Sequence, residues 1–296
     1  MADAVPADWP MREASRFVQA GAQRWHVQRL GTPGRPVLLL VHGTGASTHT
    51  WRGLVPALAP HFDLVAPDLP GHALTPRADG EGMSLPGMAR ALRGLVEAMG
   101  IAPALLVGHS AGAAIAVRLA LDGLPSVRAV VGLNSALLPL GGLAGRLFSP
   151  MARVMARSRV VPALFAWRAS HPAVVQRLID STGSLLDADG LEMYRRLVAD
   201  PAHAAGALAM MASWDLRALA RDLPRLRVPL HLVVGSNDRT LAPEESRRAQ
   251  AMVPGATFVA LPGLGHLAHE ERPQRVADEL LGAARRAGLL PAAAAA

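Results

Sequence analysis

The chain has 296 residues, a formal net charge of +7 and 51% hydrophobic residues, which together predict a compact globular protein of the α/β class. It contains no cysteine, so disulfides and thiolate metal sites are excluded. All thirty basic residues are arginine and none lies in a long basic run, so we attribute the charge to a compositional bias and predict no nucleic-acid site.

The first twenty residues combine carboxylates with prolines and lack an apolar segment. Neither a secretory signal nor a membrane span is predicted there. We therefore expect a cytoplasmic protein.

Short apolar runs bounded by turn residues recur along the chain and predict a mostly parallel sheet flanked by helices. An alternating stretch at 24–29 predicts an antiparallel strand. Buried strands are predicted at 37–41, 63–66, 104–107, 129–133, 230–234 and 257–261. One helix is predicted over 84–99, with Ser84 as its N-cap and Gly100 as its stop. A second helix is predicted to begin directly after Gly112, and a third is predicted over 273–281.

Residues 138–217 are rich in apolar residues, helical in pattern and interrupted by prolines. An insertion after the strand at 129–133 lies over the carboxyl ends of the strands, where α/β sheets bind ligands. We predict a helical cap at 138–217 on a core formed by 1–137 and 218–296.

The pentapeptide Gly108-His109-Ser110-Ala111-Gly112 lies between a predicted strand and a predicted helix. Its two glycines lack a Cβ atom, so strand and helix can approach each other while the serine occupies a strained turn. The Ser110 hydroxyl then stands at a helix N-terminus, where the Ala111 N–H favours a developing oxyanion. The motif indicates a nucleophile; a plain tight turn of small residues is the alternative.

A second oxyanion donor is predicted in His42-Gly43-Thr44-Gly45, which follows the strand at 37–41. The glycines permit a turn that directs the Thr44 N–H towards a reacting carbonyl oxygen. An ordinary strand-to-helix loop is the alternative interpretation.

Asp238 and His266 each follow the end of another predicted strand. With Ser110 they supply the nucleophile, the base and the orienting carboxylate that serine hydrolysis requires. His269, His109 and His42 compete for the role of base. We favour His266. We predict no metal, because no group of histidines and carboxylates has ligand spacing apart from the triad and the pair His266 and His269. No cofactor is predicted.

The chain resembles the α/β-hydrolase superfamily from about residue 24 to residue 285. The resemblance is carried by the order serine, acid, histidine along the chain, by the motifs above and by Pro67-Asp68-Leu69-Pro70-Gly71-His72. The resemblance implies an α/β-hydrolase fold and a serine hydrolase. We expect it to cleave carboxylic esters, because an apolar cap suits a hydrophobic acyl or tetrapyrrole group better than a peptide chain. Haloalkane dehalogenation is disfavoured because its nucleophile is a carboxylate, whereas perhydrolysis is left open. Substrate contacts are expected from His109, Trp51, Asn134, Trp167 and Met211.

A closer resemblance extends through the predicted cap. The stretches 9–10, 14–18, 24–28, 165–168, 194–198 and 206–211 are similar to the BchO family, the magnesium-chelatase accessory proteins of bacteriochlorophyll biosynthesis. The resemblance implies a role beside magnesium insertion. It does not imply insertion by this chain, because a sequence without lysine has no P-loop for ATP.

Two hypotheses follow. The first is a hydrolase of a small hydrophobic or tetrapyrrole ester at the magnesium chelatase step. The second is a non-catalytic tetrapyrrole-binding accessory protein that keeps the triad, with Arg168, Arg195 or Arg196 pairing with carboxylates; solvated helix faces are the alternative for these arginines. Magnesium chelatase subunits are the expected protein partners, and peripheral contact with the photosynthetic membrane is left open.

Overall fold

Eight strands form one sheet in the computed structural model, which describes residues 4–139 and 171–292. The strands are β1 (Ser15–Ala20), β2 (Gln23–Gly31), β3 (Val37–Val41), β4 (Asp63–Pro67), β5 (Pro103–His109), β6 (Ala129–Leu133), β7 (Leu230–Gly235) and β8 (Thr257–Leu261). They lie in the order β1-β2-β4-β3-β5-β6-β7-β8. β2 is antiparallel to both of its neighbours, β1 and β4. The six adjacent strands β4, β3, β5, β6, β7 and β8 are parallel to one another. The predicted fold class is confirmed.

Helices connect the strands. The α-helices of the described residues are α1 (Val55–Leu58), α2 (Leu85–Ala98), α3 (Ala111–Leu121), α4 (Pro172–Ser181), α5 (Ala188–Ala199), α6 (Pro201–Ser213), α7 (Arg217–Asp222), α8 (Pro243–Met252), α9 (Ala268–Glu271) and α10 (Pro273–Arg286). Short 3₁₀ helices occupy Arg12–Ala14, Thr48–Trp51, Gly80–Met83 and Leu223–Arg225. Nowhere in these two described ranges is a helix long and apolar enough to cross a membrane.

The central strands of the sheet are buried on both faces, which explains their continuous apolar runs. Successive side chains of β3 alternate between two cores. Leu39 packs in the core that contains the apolar faces of α2 and α3. Leu38 and Leu40 pack in the opposite core, with the apolar face of α10.

The predicted boundaries of α2 are confirmed in detail. The Ser84 Oγ accepts a hydrogen bond from the Gly87 N–H at 3.2 Å and so caps the helix. Gly100 lies just beyond the helix with φ +61°, a backbone conformation that glycine adopts without strain. β1, by contrast, has no counterpart among the predicted strands. Its residues are exposed or half-buried, as expected at the edge of a sheet, and lack the apolar run of the central strands.

Helices α4, α5 and α6 belong to the predicted cap, and residues 140–170 of that prediction lie outside the described residues. α6 crosses the loop after β4 with backbone against backbone. A Cβ atom added to Gly206 would overlap the carbonyl oxygen of Gly71, so this crossing requires glycine on the helix. The division into core and cap stays a prediction.

We expect Gly206→Ala to destabilise the fold by about 1–3 kcal/mol, because the new methyl group meets a backbone atom that cannot rotate away. Gly94→Ala is the matched control. Gly94 lies inside α2 with nothing near its missing Cβ, so alanine there should stabilise by about 0.5–1 kcal/mol. Urea denaturation followed by circular dichroism measures both changes. Equal stabilisation by the two variants would contradict the close crossing.

Candidate active site

Ser110 lies in a strained turn between β5 and α3. Its backbone has φ +51° and ψ −117°, in the left-handed half of conformational space that residues with a Cβ atom seldom enter. The flanking glycines permit this turn. A Cβ atom on Gly108 would overlap the backbone of Ala113, and one on Gly112 would overlap the carbonyl oxygen of Val41. The close approach predicted from the pentapeptide is therefore present.

Asp238 and His266 form a buried hydrogen-bonded pair. The His266 Nδ1 lies 2.8 Å from the Asp238 Oδ2. The same carboxylate oxygen accepts a hydrogen bond from the Asn134 Nδ2 at 2.8 Å, and Oδ1 accepts from the N–H groups of Thr240 and Leu241 at 2.8 and 2.9 Å. Four donors thus converge on one carboxylate.

The same contacts keep Asp238 ionised. Burial alone would raise its pKa, but the hydrogen bond and charge of His266 outweigh burial, with further help from Leu241 and Asn134, and the pKa falls below its ordinary value. An ionised carboxylate only accepts hydrogen bonds, so the proton in the pair lies on the His266 Nδ1. The Nε2 atom is then free to accept a proton.

His109 joins the serine turn to the loop of His266. Its Nε2 donates to the backbone carbonyl of His266 at 3.0 Å, and the two rings lie 4.8 Å apart between centroids. The residue next to Ser110 is thereby bonded to the proposed base. No hydrogen bond joins the Ser110 hydroxyl to the His266 ring among the described residues. Free enzymes often form this contact fully only when substrate is bound.

The loop after β3 lies against the serine. A Cβ atom on Gly43 would stand 3.1 Å from the Ser110 Cβ. His42 fixes the path of this loop, because its Nδ1 donates to the Gly43 carbonyl at 2.8 Å and its Nε2 accepts from the Leu69 N–H at 2.8 Å. Within the described ranges, the N–H groups of Thr44 and Ala111 donate to no other protein group. Both are therefore available to a ligand.

The other candidate bases are held in structural contacts. Burial, with the neighbouring His72, lowers the pKa of His42 to about 4. Burial likewise lowers the pKa of His109 well below its ordinary value. The His269 Nε2 lies 2.7 Å from the Thr50 Oγ1, and burial lowers the pKa of His269 to about 3. Among the residues that the structure describes, His266 alone of the four is bonded to a carboxylate through one ring nitrogen and forms no hydrogen bond through the other.

The expected substrate contacts have varied surroundings. Trp51 is fully buried and its ring packs on that of His269. Asn134 is buried and supports Asp238, a contact different from the one predicted. Met211 is half-buried, whereas its neighbour Met210 lies 3.4 Å from the Thr44 Oγ1. Trp167 lies outside the described residues.

Sequence reasoning missed a buried carboxylate on the helix after His266. Glu270 accepts hydrogen bonds from the Thr50 Oγ1 at 2.6 Å, from Arg52 at 2.7 Å and from the Tyr194 hydroxyl at 2.7 Å. It therefore ties α9 both to the 3₁₀ helix Thr48–Trp51 and to α5. Position gives no signal for this role, because the partners are about 75 to 220 residues away in the chain. Asn134, by contrast, had one signal in the sequence: it directly follows β6, the strand that lies beside β7.

The comparison with known families identifies the family of the chain. Residues 38–279 match the Alpha/beta hydrolase family. The chain belongs to that family. It is 40% identical over 268 residues to the magnesium-chelatase 30 kDa subunit of Rhodobacter capsulatus, which covers 90% of this chain and 93% of that protein.

More distant relatives carry other names. The chain is 29% identical to haloalkane dehalogenase 2 of Mycobacterium bovis over 276 residues, which covers 90% of this chain and 93% of that protein. A thermophilic esterase from Thermogutta terrifontis superposes with a TM-score of 0.72 at 23% identity, which covers 92% of this chain and 98% of the esterase chain. The structural likeness shows the shared fold. In the part of the chain that the structure describes, no cluster of histidines and carboxylates could hold a metal ion.

His203 connects α6 to the loops around the site and should make the fold sensitive to acid. Its Nδ1 accepts from the Ala73 N–H at 3.0 Å, its Nε2 donates to the Gly45 carbonyl at 3.2 Å, and burial lowers its pKa to about 4. An unfolded histidine titrates near pH 6.5, so between about pH 6.5 and 4 the unfolded chain binds a proton that the folded chain does not. Stability from this group is complete above that window and falls as the pH drops through it.

We expect His203→Gln to reduce the slope of unfolding free energy against pH by about one proton between pH 6.5 and 4, on the order of 3 kcal/mol across the window. Urea denaturation at a series of pH values from 8 to 4 measures the slope. The control is His171→Gln, at an exposed histidine outside this contact network. A slope identical to the wild type in His203→Gln would show that His203 does not resist protonation.

Proposed function

We propose that the chain is a serine hydrolase of carboxylic esters that acts in bacteriochlorophyll biosynthesis, at the magnesium chelatase step. The observation that carries the chemical part is the buried pair of Asp238 and His266, held by four hydrogen bonds on the carboxylate, beside a serine in a strained turn. The 40% identity to a magnesium-chelatase subunit supports the biosynthetic part.

Each side chain has a defined task in this mechanism. The Ser110 Oγ attacks the ester carbonyl carbon as the His266 Nε2 takes its proton, and the Asp238 carboxylate stabilises the resulting imidazolium. His266 then gives the proton to the leaving alcohol, which leaves an acyl group on Ser110. Water, activated by the same histidine, attacks the acyl carbon, and the acid and the free serine are released.

The oxyanion of both tetrahedral intermediates would lie between the N–H groups of Thr44 and Ala111. Ala111 is the first residue of α3, so the positive end of that helix dipole adds to its N–H. In comparable hydrolases, removal of one such preorganised donor reduces transition-state stabilisation by about 3–4 kcal/mol. The loop of Thr44 is fixed by His42 and by its contact with Met210.

A serine nucleophile also limits the proposal. We do not propose haloalkane dehalogenation, the activity in the name of the mycobacterial relative, because that reaction requires a carboxylate nucleophile where this chain has Ser110. We propose a small hydrophobic ester or a tetrapyrrole ester as substrate and subunits of magnesium chelatase as partners. Magnesium insertion itself would remain with those partners.

Fluorophosphonate labelling read by intact mass tests the nucleophile. We expect one adduct on the wild type and none on Ser110→Ala, because the reagent reacts with an activated serine. Ser135→Ala, at a buried serine close to the turn, is the control and should label like the wild type. A wild type that neither labels nor hydrolyses a broad ester panel would refute the hydrolase proposal.

Asp238→Asn should lower the labelling rate by about 10³- to 10⁴-fold at pH 7, because an amide cannot fix the required tautomer of His266 or stabilise its cation. Mass spectrometry of samples quenched at successive times, at pH values from 6 to 9, measures this rate. Asp215→Asn, at an exposed aspartate on the surface, should leave the rate unchanged. A labelling rate equal to that of the wild type in Asp238→Asn would remove Asp238 from the mechanism.

A tetrapyrrole-binding accessory role is the second candidate, favoured by the serine that forms no hydrogen bond with His266. The arginines first considered for the ligand carboxylates are engaged elsewhere: Arg195 and Arg196 both pair with Glu192, and Arg196 also pairs with Asp8. Arg168 lies outside the described residues. Titration with protoporphyrin, followed by absorbance, should give the same affinity in Ser110→Ala as in the wild type if this role is correct.

A further inference from the structure

The segment 182–185, which joins α4 to α5, crosses the two loops that carry the proposed acid and base. The Thr182 carbonyl accepts a hydrogen bond from the Arg239 N–H at 3.1 Å and from the His266 N–H at 3.2 Å. Arg239 directly follows Asp238. One carbonyl oxygen therefore bridges the loop of the acid and the loop of the base.

The next two residues extend this bridge. The Asn237 Nδ2 donates to the Gly183 carbonyl at 2.7 Å, and the Leu267 N–H donates to the Ser184 Oγ at 2.8 Å. The side chains of Asn237 and Ser184 thus bond the segment to the residues immediately beside Asp238 and His266. Ser184 is only 1% exposed, so water cannot replace its hydroxyl as the acceptor for Leu267.

Glu271 connects the end of the segment to the same loop. Its Oε1 accepts from the Gly265 N–H at 2.7 Å, and its Oε2 accepts from the Leu185 N–H at 3.2 Å. Gly265 immediately precedes His266. The loop of the base is therefore held on both sides of the histidine.

Segment 182–185 also fits too closely to shift without moving these loops. Gly183 has φ +79°, and a Cβ atom there would overlap the backbone of Asn237. A Cβ atom on Gly265 would in turn overlap the backbone of Gly183. Because backbone contacts backbone on both sides, a displacement of the segment is transmitted to the acid and the base together.

We propose that segment 182–185 positions Asp238 and His266 relative to each other, with Ser184 as the positioning residue for the loop of the base. The proposal rests on the serine-hydrolase function. It makes the connection between α4 and α5 part of the catalytic framework, although none of its side chains touches the reacting atoms. The orientation of the cap helices and the reactivity of the serine are then coupled.

Ser184→Ala tests the proposal because it removes one acceptor and adds no bulk. We expect the maximal rate of fluorophosphonate labelling to fall at least about tenfold, with little change in the reagent concentration that gives half-maximal rate. The labelling rate should also show a shifted pH profile, since the ring environment of His266 changes. Ser181→Ala is the matched control: the hydroxyl of this exposed serine donates to the Leu178 carbonyl in its own helix and, within the described ranges, to no other group, so its loss should change neither quantity.

Proton NMR gives a readout that does not depend on turnover. The proton shared by His266 and Asp238 should give a resonance far downfield in the wild type and in Ser181→Ala, and the resonance should shift or broaden in Ser184→Ala. Labelling rates are compared per folded molecule, with the folded fraction taken from circular dichroism.

The outcomes separate this proposal from the function on which it rests. A wild type that does not label refutes the hydrolase function, while the downfield resonance still decides whether Ser184 positions the pair. A wild type that labels, together with an unchanged rate, pH profile and resonance in folded Ser184→Ala, overturns the positioning role.

Discussion

The backbone turn at Ser110 is the constraint on which the rest of the site depends. Its positive φ is tolerated because Gly108 and Gly112 let β5, α3 and the end of β3 come into contact with no side chain between them. Strain of this kind costs about 1–3 kcal/mol and persists only where the surroundings enforce it. Here the central position of β5 enforces it: its neighbours β3 and β6 lead into the Thr44 loop and into Asn134, so each neighbour contributes one residue to the proposed site.

Buried charge around the site is confined to carboxylates with several donors. Asp238 has four hydrogen-bond donors, and Glu270 is held by a threonine, an arginine and a tyrosine. Burial raises the pKa of both carboxylates, but neighbouring groups outweigh it and lower each pKa below its ordinary value: the hydrogen bond and charge of His266 for Asp238, and the charges of His49 and Arg52 together with hydrogen bonds for Glu270. Several surrounding histidines are instead kept neutral by burial. In the proposed mechanism, the site is therefore preorganised to stabilise one new positive charge, on His266, rather than to share protons among many rings.

Local chemistry made much of this arrangement predictable. Apolar runs mark the strands β3 to β8, an alternating stretch marks β2, and a serine between two glycines marks the turn, so these seven strands and the position of Ser110 could be read from the sequence. β1 could not, because its sequence has no apolar run and its residues are exposed or half-buried. Long-range support was also hidden: Asn134 meets Asp238 across 104 residues. The carbonyl of Thr182 acts through the backbone, which every residue shares, and so leaves no signal in the sequence.

The bridge made by residues 182–185 has a consequence for how the chain acquires its structure. Its partners at 237–239 and 265–267 all come later in the sequence, so during synthesis the segment leaves the ribosome before any of them exists. These pairings span roughly fifty to eighty residues, and such non-local contacts form slowly. The bridge must therefore wait until β8 and α9 have been made, whereas α6 can already pack against the loop after β4. The proposed acid and base can thus be joined through residues 182–185 only after nearly the whole chain has been synthesised.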